Sequence, residues 1–542
     1  MSCTTCTDGT TGTAGITNAA AAELTQGQQG YAHPLALIGS GPGDPELITC
    51  KGRRLLSEAD IIIYDYLANP KFLALAKPDA HLISVGKKGF TKHITQDEIN
   101  AILIEQAQAH PKARIVRLKG GDPFLFGRGG EEAQALASVG IPFEIVPGIT
   151  AGIAAPAFAG IPVTQRHVAS SVAFITGHET PEKTESSIDW KHLALGCDTL
   201  CFYMGVKNLP MISRRLIEAG RSPKTPVALV RWGSLPEQES LVSTLDCVAD
   251  DAQKRNFQAP AIIVAGEVVQ LREQLSWFEK RPLFGKTVVV TRARTQASGL
   301  TKRLEYLGAR VLEVPAIRIE ALPDNDCLQA AIASLGAYVW TIFTSVNGVD
   351  LFFAALRRAG LDARAFAGCK VAAIGEATAE ACVRWGVYPD LVPERYVAES
   401  MAEALLNAGA AGKRILIPRA QEARETLPEL LGEAGCEVNV LPLYQTLPEY
   451  GSSALKQAIE LMGEGGVDAI TFTSSSTVKN FWTLMEEECG ADCTRQLLEK
   501  TGLFSIGPVT SKTLREFGLE PTAEAAIYTI EGLIACLEAA LT

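Results

Sequence analysis

Apolar residues recur along this chain in short runs that end at glycine, proline or a charged residue, the pattern of strands buried in a sheet. Residues 34–39 (PLALIG) run into Ser40-Gly41-Pro42-Gly43-Asp44-Pro45, and a helix is predicted over 47–59. The next runs are 61–64, ending at Asp65-Tyr66, and 82–86, ending at Lys87-Lys88-Gly89. Residues 114–132 (RIVRLKGGDPFLFGRGGEE) open as a strand, with Arg117 and Lys119 set among Ile115, Val116 and Leu118. The strand breaks at Gly120-Gly121-Asp122-Pro123, and Phe124-Leu125-Phe126 follow where a loop should be polar. A helix is predicted from near Glu131. A strand, a glycine-bounded apolar loop and a helix make a ligand rim at the carboxyl end of a sheet strand. Residues 143–146 lead into Pro147-Gly148-Ile149-Thr150-Ala151 and a close-packed Ala/Gly-rich segment to 160.

A second unit is predicted from strands at 172–176, 199–204, 226–230 and 261–265, with helices between them such as 209–219. Residues 277–282 read as a linker. At Lys286 the pattern restarts and then repeats. Lys286, Arg292, Gly308 and Pro315 recur as Lys413, Arg419, Gly435 and Pro442, each 127 residues on. Phe343-Thr344-Ser345 recurs as Phe472-Thr473-Ser474. Ile374-Gly375 recurs as Ile506-Gly507, and Tyr396 falls opposite Tyr528, both 132 residues on. The order of the copies predicts a chain that crosses once and returns. One lobe is then 284–317 plus 447–542 and the other 320–445, with linkers near 315–319 and 443–447 acting as a hinge. Two lobes and a hinge imply a cleft that closes on a ligand.

Composition narrows the classes. The 542 residues suggest three or four domains, and no apolar run approaches the roughly 18 residues a membrane helix needs. Residues 1–33 are Thr-, Ala-, Gly- and Gln-rich and read as a disordered tail; Cys3 and Cys6 within it form a lone CxxC, too little for a metal site. Thirteen scattered cysteines fit reduced thiols in a cytosol, so the expected localisation is cytoplasmic. A net charge of −11 argues against nucleic acid as a partner. All seven histidines precede residue 193, so chemistry in the C-terminal half proceeds without one. The glycine turn at 39–45 is not G-x-G-x-x-G, and no clear ribose-binding acid follows some 20 residues on, which disfavours a nicotinamide oxidoreductase. Pro42 removes an amide that a phosphate would use, so a ligand without phosphate suits the turn better.

The motifs GSGPGDP (39–45), YDYL (64–67), GKKG (86–89), RLKGGDPFLFGRGGEE (117–132), PGITA (147–151) and FYMG (202–205) together resemble the uroporphyrinogen-III C-methyltransferases of the tetrapyrrole methylase family, over residues 34–281. FTSVNGV, FTSSSTV, IGEAT, IGPVT and LPLYQT, in their two-lobed layout, resemble uroporphyrinogen-III synthase over residues 284–542. The resemblance implies an α/β protein: a two-unit tetrapyrrole methylase fold followed by a two-lobed, hinged synthase fold. It implies S-adenosyl-L-methionine as cofactor, contacted by Pro42, Gly120, Gly121, Asp122, Leu125, Thr150, Ala151, Met204, Gly233 and Ala261, with no metal. Relatives commonly carry isoleucine at the position of Leu125. Asp65 and Lys87 stand where the family has its proposed acid/base residues, with a helix cap as the alternative for Asp65. Lys88, Lys92, Arg128 and Arg166 are candidates to pair with the eight carboxylates of the tetrapyrrole, against the alternative of solvated surface charge.

In the C-terminal half Tyr444 matches the family's tyrosine in its YQT segment and is the candidate to assist loss of hydroxyl from linear hydroxymethylbilane; the alternative is a hinge-packing aromatic. Arg292, Ser345, Tyr396, Arg419, Ser474, Ser475 and Tyr528 are candidates to touch propionate or acetate groups, and Ser345 and Ser474 are alternatively helix caps. The implied activity is cyclisation of hydroxymethylbilane to uroporphyrinogen III with inversion of the last ring, then two methylations to precorrin-2. The competing reading of the C-terminal half is a non-catalytic two-lobed tetrapyrrole-binding module. No dehydrogenase–chelatase segment has a counterpart. The resemblance also implies a homodimer through the methyltransferase half, with small-molecule tetrapyrroles as partners and neither nucleic acid nor membrane.

Overall fold

The computed structural model describes residues 30–86, 94–178, 188–292, 294–323 and 326–542, without the side chains of 294–298. Its contacts divide into two units, Met1–Gly285 with Leu307–Arg310, and Lys286–Tyr306 with Val311–Thr542.

The first unit holds two five-stranded sheets. The first is β1 (Leu35–Gly39), β2 (Ile61–Tyr64), β3 (His81–Ser84), β4 (Ile115–Lys119) and β5 (Phe143–Val146), in the order β3-β2-β4-β1-β5 and wholly parallel. Central strands of such a sheet are covered on both faces and so read as unbroken apolar runs. Leu37 and Ile38 are fully buried, each stabilising the fold by about 1.5–3 kcal/mol. β4 departs from that rule, because Arg117 and Lys119 are buried along with its apolar residues. β1 and β4 are neighbours although their chain connections run to opposite sides of the sheet, the arrangement that opens a crevice at the strand ends.

The helix expected over 47–59 begins later. Pro45–Leu47 is a single tight turn, and α1 (Cys50–Glu58) starts after Thr49, whose side chain accepts the Gly52 amide at 3.1 Å. The cap chemistry of Thr49 sets that boundary. Three further helices matter to the site: α2 (Gln96–Ala109), α3 (Gly129–Ser138) and α4 (Ala151–Phe158). The second sheet is mixed: β6 (Val172–Thr176), β7 (Thr199–Tyr203), β8 (Pro226–Arg231), β9 (Glu239–Thr244) and β10 (Ala261–Ala265), in the order β6-β7-β10-β8-β9. Only β6 and β7 pair in parallel. β9, mostly half-buried and polar at both ends around Leu241 and Val242, is the edge strand that the sequence pattern passed over.

The second unit also has two five-stranded sheets. One comprises β11 (Thr287–Val290), β12 (Arg310–Glu313), β18 (Ala469–Phe472), β19 (Gly502–Ser505) and β20 (Ala523–Glu524). The other comprises β13 (Ile317–Ala321), β14 (Trp340–Phe343), β15 (Lys370–Ala373), β16 (Arg414–Ala420) and β17 (Glu437–Pro448). The internal repeat is visible in the pairing. β11, which precedes Arg292, pairs in parallel with β18 of the second FTS copy, and β18 pairs with β19 of the second IG copy. β16, which ends beyond Arg419, pairs in parallel with β14 of the first FTS copy, and β14 pairs with β15 of the first IG copy. Each lobe thus takes its basic strand from one repeat and its FTS strand from the other. The two predicted linkers meet as an antiparallel ribbon, with Ile317 opposite Pro448 and Ala321 opposite Tyr444. Paired backbone restrains these segments more than free linkers would.

Candidate functional site

In the first unit the glycine loops after β1 and β4 interlock. Gly41 and Gly121 exchange backbone hydrogen bonds at 3.2 and 2.7 Å. A Cβ on Gly39 would come within 2.6 Å of the Gly121 carbonyl oxygen and the Gly148 amide nitrogen, so three loops meet at a point with room only for backbone. Gly120 packs on Leu67, where an added Cβ would lie 2.7 Å from the Leu67 Cβ. Pro42 and Gly120 line the rim beside these contacts, half-buried.

Asp122 holds the loop that follows. One carboxylate oxygen accepts the amides of Phe124 and Leu125 at 2.8 and 3.1 Å, and the other accepts the Gly148 amide at 3.0 Å. The aspartate therefore ties the β4 loop to the β5 loop, and its charge is spent largely on backbone donors. Phe126 and Arg128 both adopt left-handed backbone, at φ 53° and 56°, which folds the segment back on Pro123. Leu125 and Ala151 pack against the core of the second sheet, a cluster that includes Ala155, Tyr203 and Val230.

Tyr203, which the sequence reading did not single out, closes the site. Its hydroxyl shares a 2.6 Å hydrogen bond with Thr150 and accepts the Gly152 amide at 2.7 Å. Its ring lies 4.9 Å from that of Phe126. Burial pushes its pKa up, against the opposing pull of the Thr150 and Gly152 bonds. Met204 follows in left-handed backbone with its side chain exposed. Gly233 abuts α4, where an added Cβ would lie 2.5 Å from the Ala155 Cβ. Ala261 opens β10 opposite Arg231. The signal for Tyr203 was its place in FYMG at a strand end.

Asp65 stands at the end of β2 and caps no helix. Its carboxylate faces the Arg117 guanidinium at 3.4 Å, and its side chain is 26% exposed. Arg117 in turn donates from Nε to Glu132 of α3 at 3.2 Å, and Lys119 donates to the same Glu132 oxygen at 2.8 Å. Arg117, Lys119 and Glu132 are buried, and burial, then the Arg117 charge, pull the Lys119 pKa down while Glu132 opposes them. Arg128 pairs with Glu131 at the surface, and Arg166 lies in an exposed turn between Gln165 and Ala169. Lys87, Lys88 and Lys92, like Cys3 and Cys6, lie outside the described residues.

In the second unit the helices that follow the FTS and IG turns are α5 (Val346–Arg358), α6 (Glu376–Arg384), α7 (Ser475–Cys489) and α8 (Pro508–Glu516). Ser345 caps α5 by accepting the Gly348 amide at 3.0 Å, and Ser474 caps α7 by accepting the Thr477 amide at 3.2 Å. Ser345 does more, because its hydroxyl also lies 2.9 Å from that of Tyr444. Tyr444 packs among the lobe's core residues, and burial raises its pKa against bonds from Ser345 and Asn347. Arg419 is buried beside it at the β16–β17 irregularity, with its guanidinium bound to the Arg424 carbonyl at 2.8 Å and to Glu425. Arg292 is half-buried, and burial lowers its pKa. Ser475 donates to the Val509 carbonyl at 3.3 Å. Tyr396 and Tyr528, both exposed, lie over Gly375 and Gly507, where an added Cβ would come within 3.0 Å of each ring. Glycine at each IG turn lets the tyrosine sit against the backbone. Among the described residues no cluster suits a metal ion, and no helix is long and apolar enough to cross a membrane.

Residues 34–249 match the model of the tetrapyrrole (corrin/porphyrin) methylases, and residues 298–535 that of uroporphyrinogen-III synthase HemD. The porphyrin biosynthesis protein HemD of Ruminiclostridium josui is 38% identical over 486 residues, which is 90% of this chain and 94% of that protein. A uroporphyrinogen-III C-methyltransferase of Bacillus subtilis (strain 168) is 45% identical over 60% of this chain and 66% of its own length. Among solved structures, uroporphyrin-III C-methyltransferase from Thermus thermophilus complexed with S-adenyl homocysteine is 38% identical over 44% of this chain and 100% of that one, with a TM-score of 0.38. With a tetrapyrrole methylase in its N-terminal half, a uroporphyrinogen-III synthase in its C-terminal half and end-to-end similarity to a HemD protein, the chain belongs to the family of porphyrin-biosynthesis proteins that join these two enzymes.

Proposed function

We infer that the chain is a bifunctional enzyme of tetrapyrrole biosynthesis, a uroporphyrinogen-III synthase and an S-adenosyl-L-methionine-dependent uroporphyrinogen-III C-methyltransferase. It cyclises hydroxymethylbilane to uroporphyrinogen III with inversion of the last ring, then methylates that product twice to precorrin-2. The observation that carries this reading is the presence of both family matches in one chain that aligns nearly end to end with a porphyrin biosynthesis protein. Residues 34–281 are proposed as the methyltransferase and 284–542 as the synthase, the latter with lobes 284–317 plus 447–542 and 320–445.

The glycine junction at Gly39, Gly121 and Gly148 fits S-adenosyl-L-methionine. It locks three loops together backbone to backbone and leaves open space over Gly121, where an added Cβ would meet nothing nearer than the Ala151 amide nitrogen at 3.9 Å, and the proline at 42 makes the rim poor for phosphate. Pro42, Gly120, Gly121, Asp122, Leu125, Thr150, Ala151, Met204, Gly233 and Ala261 would hold the cofactor, which supplies a methyl group already activated on a sulfonium. The protein's own part is to position the pyrrole carbon and to take up the proton lost from the ring. Asp65 is proposed for that proton, with Lys87 as its acid/base partner. Lys88, Lys92, Arg128 and Arg166 would meet the substrate's carboxylates.

In the synthase half the electron-rich pyrroles supply the nucleophile, and the hydroxymethyl hydroxyl leaves as water. A neutral Tyr444 donor serves that departure. Ser345, Ser474, Ser475, Tyr396, Tyr528, Arg292 and Arg419 are proposed to steer the acetate and propionate arms. A cytoplasmic homodimer through the methyltransferase half completes the proposal; light scattering that returns the monomer mass would overturn the dimer.

The test is a product assay on the full-length protein. Hydroxymethylbilane alone should yield uroporphyrinogen III, and with S-adenosyl-L-methionine a doubly methylated product. Uroporphyrinogen I alone, the isomer formed by unassisted closure, would make the C-terminal half a binding module.

A further inference from the structure

Four charged side chains make one buried network at the carboxyl end of the first sheet. Arg117 and Lys119 lie two residues apart on β4 and so share a face. Both donate to the same Oε1 of Glu132, Arg117 through Nε at 3.2 Å and Lys119 through Nζ at 2.8 Å. The other end of the Arg117 guanidinium donates to Asp65 Oδ2 at 3.4 Å and to the Leu118 carbonyl at 3.0 Å. The side chains of Arg117, Lys119 and Glu132 are 2%, 4% and 0% exposed, whereas that of Asp65 is 26% exposed. Asp65 is therefore the one member that opens outward. Its Oδ1 has no hydrogen-bond partner among the described residues, nor has Oε2 of Glu132.

Burying three charges to brace a helix on a sheet is a poor way to stabilise it, since apolar side chains of similar size do as well or better. The cost is justified where a charge must be held in one orientation. Two cations balance two anions here, but unevenly placed: Glu132 receives both cations, and Asp65 receives only the far end of one.

We propose that Glu132 is a positioning residue for methyl transfer: it fixes the Arg117 guanidinium so that its free end orients the Asp65 carboxylate, and Lys119 is its charge partner. This rests on the reading of Asp65 as the group that takes the ring proton. With Glu132 neutralised, Lys119 is left as an uncompensated buried cation beside Arg117, and both draw on the one remaining carboxylate. Removing the Lys119 charge as well restores one cation to one anion. The groups facing this network are Arg117 and Lys119 from β4, Glu131 and Glu132 from α3, and Asp65 from β2, with Arg128 paired to Glu131.

The experiment compares Asp65→Asn, Glu132→Gln and Glu132→Gln/Lys119→Met in the full-length protein. It measures kcat and KM for uroporphyrinogen III, with cofactor affinity by calorimetry. Glu132→Gln should lower kcat about tenfold with cofactor affinity unchanged, and the double variant should recover most of that loss, a coupling on the scale of touching residues. A wild-type kcat in Glu132→Gln, or a double variant no better than the single one, overturns the proposal. So does a loss of cofactor affinity equal to the loss of kcat, which marks a merely structural role. Asp65→Asn with wild-type kcat defeats the reading of Asp65 and this inference together. Asp65→Asn inactive beside a normal Glu132→Gln defeats only the inference.

Discussion

The Tyr203 hydroxyl accepts the Gly152 amide at 2.7 Å and so caps α4, a helix whose own cap residue, Thr150, makes no side-chain bond to it. Thr150 points its hydroxyl at Tyr203 instead. A residue from the second sheet thus completes a helix that begins at the end of the first. Tyr203→Phe removes the acceptor and leaves a buried amide unpaired, at a cost of about 1–3 kcal/mol. The expected result is a lower melting temperature by calorimetry and weaker binding of S-adenosyl-L-methionine. Thr150→Ala keeps the amide satisfied and should cost less; equal melting temperatures for wild type and Tyr203→Phe would remove the capping role.

Gly148 has no room for a side chain, because its Cα lies against Gly39 and the Gly121 carbonyl. Gly148→Ala should therefore abolish methyl transfer by pushing the three loops apart. Gly130, with open space around its Cα, should accept alanine without loss. Turnover of hydroxymethylbilane by Gly148→Ala reports whether the effect stays in the first unit. An active Gly148→Ala methyltransferase would mean that the loops relax without consequence.

Tyr444 and Ser345 are coupled at 2.9 Å. Tyr444→Phe removes the proton donor and should shift the product toward uroporphyrinogen I, read by chromatography. Ser345→Ala should shift it less, since Asn347 also bonds the tyrosine. An unchanged isomer ratio in Tyr444→Phe would leave Tyr444 as hinge packing.

Burial raises the Tyr444 pKa above its unfolded value, so its neutral form is favoured in the folded chain. The resulting stability is fully present below the ordinary tyrosine value of about 10 and is lost as pH rises through the folded value. Denaturant unfolding between neutral pH and pH 11 should show this alkaline loss in the wild type and a shallower one in Tyr444→Phe. Parallel curves would deny the contribution.

Burial pushes the thiols of Cys201 and Cys382 up to about 12. Neither forms thiolate near neutrality, whereas Cys50, Cys247 and Cys327 are exposed. Iodoacetamide at mild pH should label the exposed three and spare the buried two. Labelling of Cys201 in the folded protein would contradict its packing.

Much of the fold is legible in the sequence because strand burial is local information. The apolar runs at 61–64, 143–146 and 172–176 are strands with those bounds. The repeat of Arg292 and Arg419, of the FTS turns and of the IG turns announced two similar lobes, because equal packing tasks select similar residues. Polarity alone did not settle the place of Arg117 and Lys119 among the apolar residues of β4. Both are buried, because a charge enters a core when a counter-charge waits there.

The sequence by itself determined the apolar core strands of the first unit, the glycine turns and the family. Each follows from residue type and spacing along a few neighbouring positions. Tertiary structure alone decided that Glu132 meets Arg117 and Lys119, that Tyr203 caps α4, and that Ser345 reaches Tyr444 across 99 positions of chain. A hydrogen bond depends on two atoms within about 3 Å, and no pattern along the chain fixes that distance until the sheets are packed.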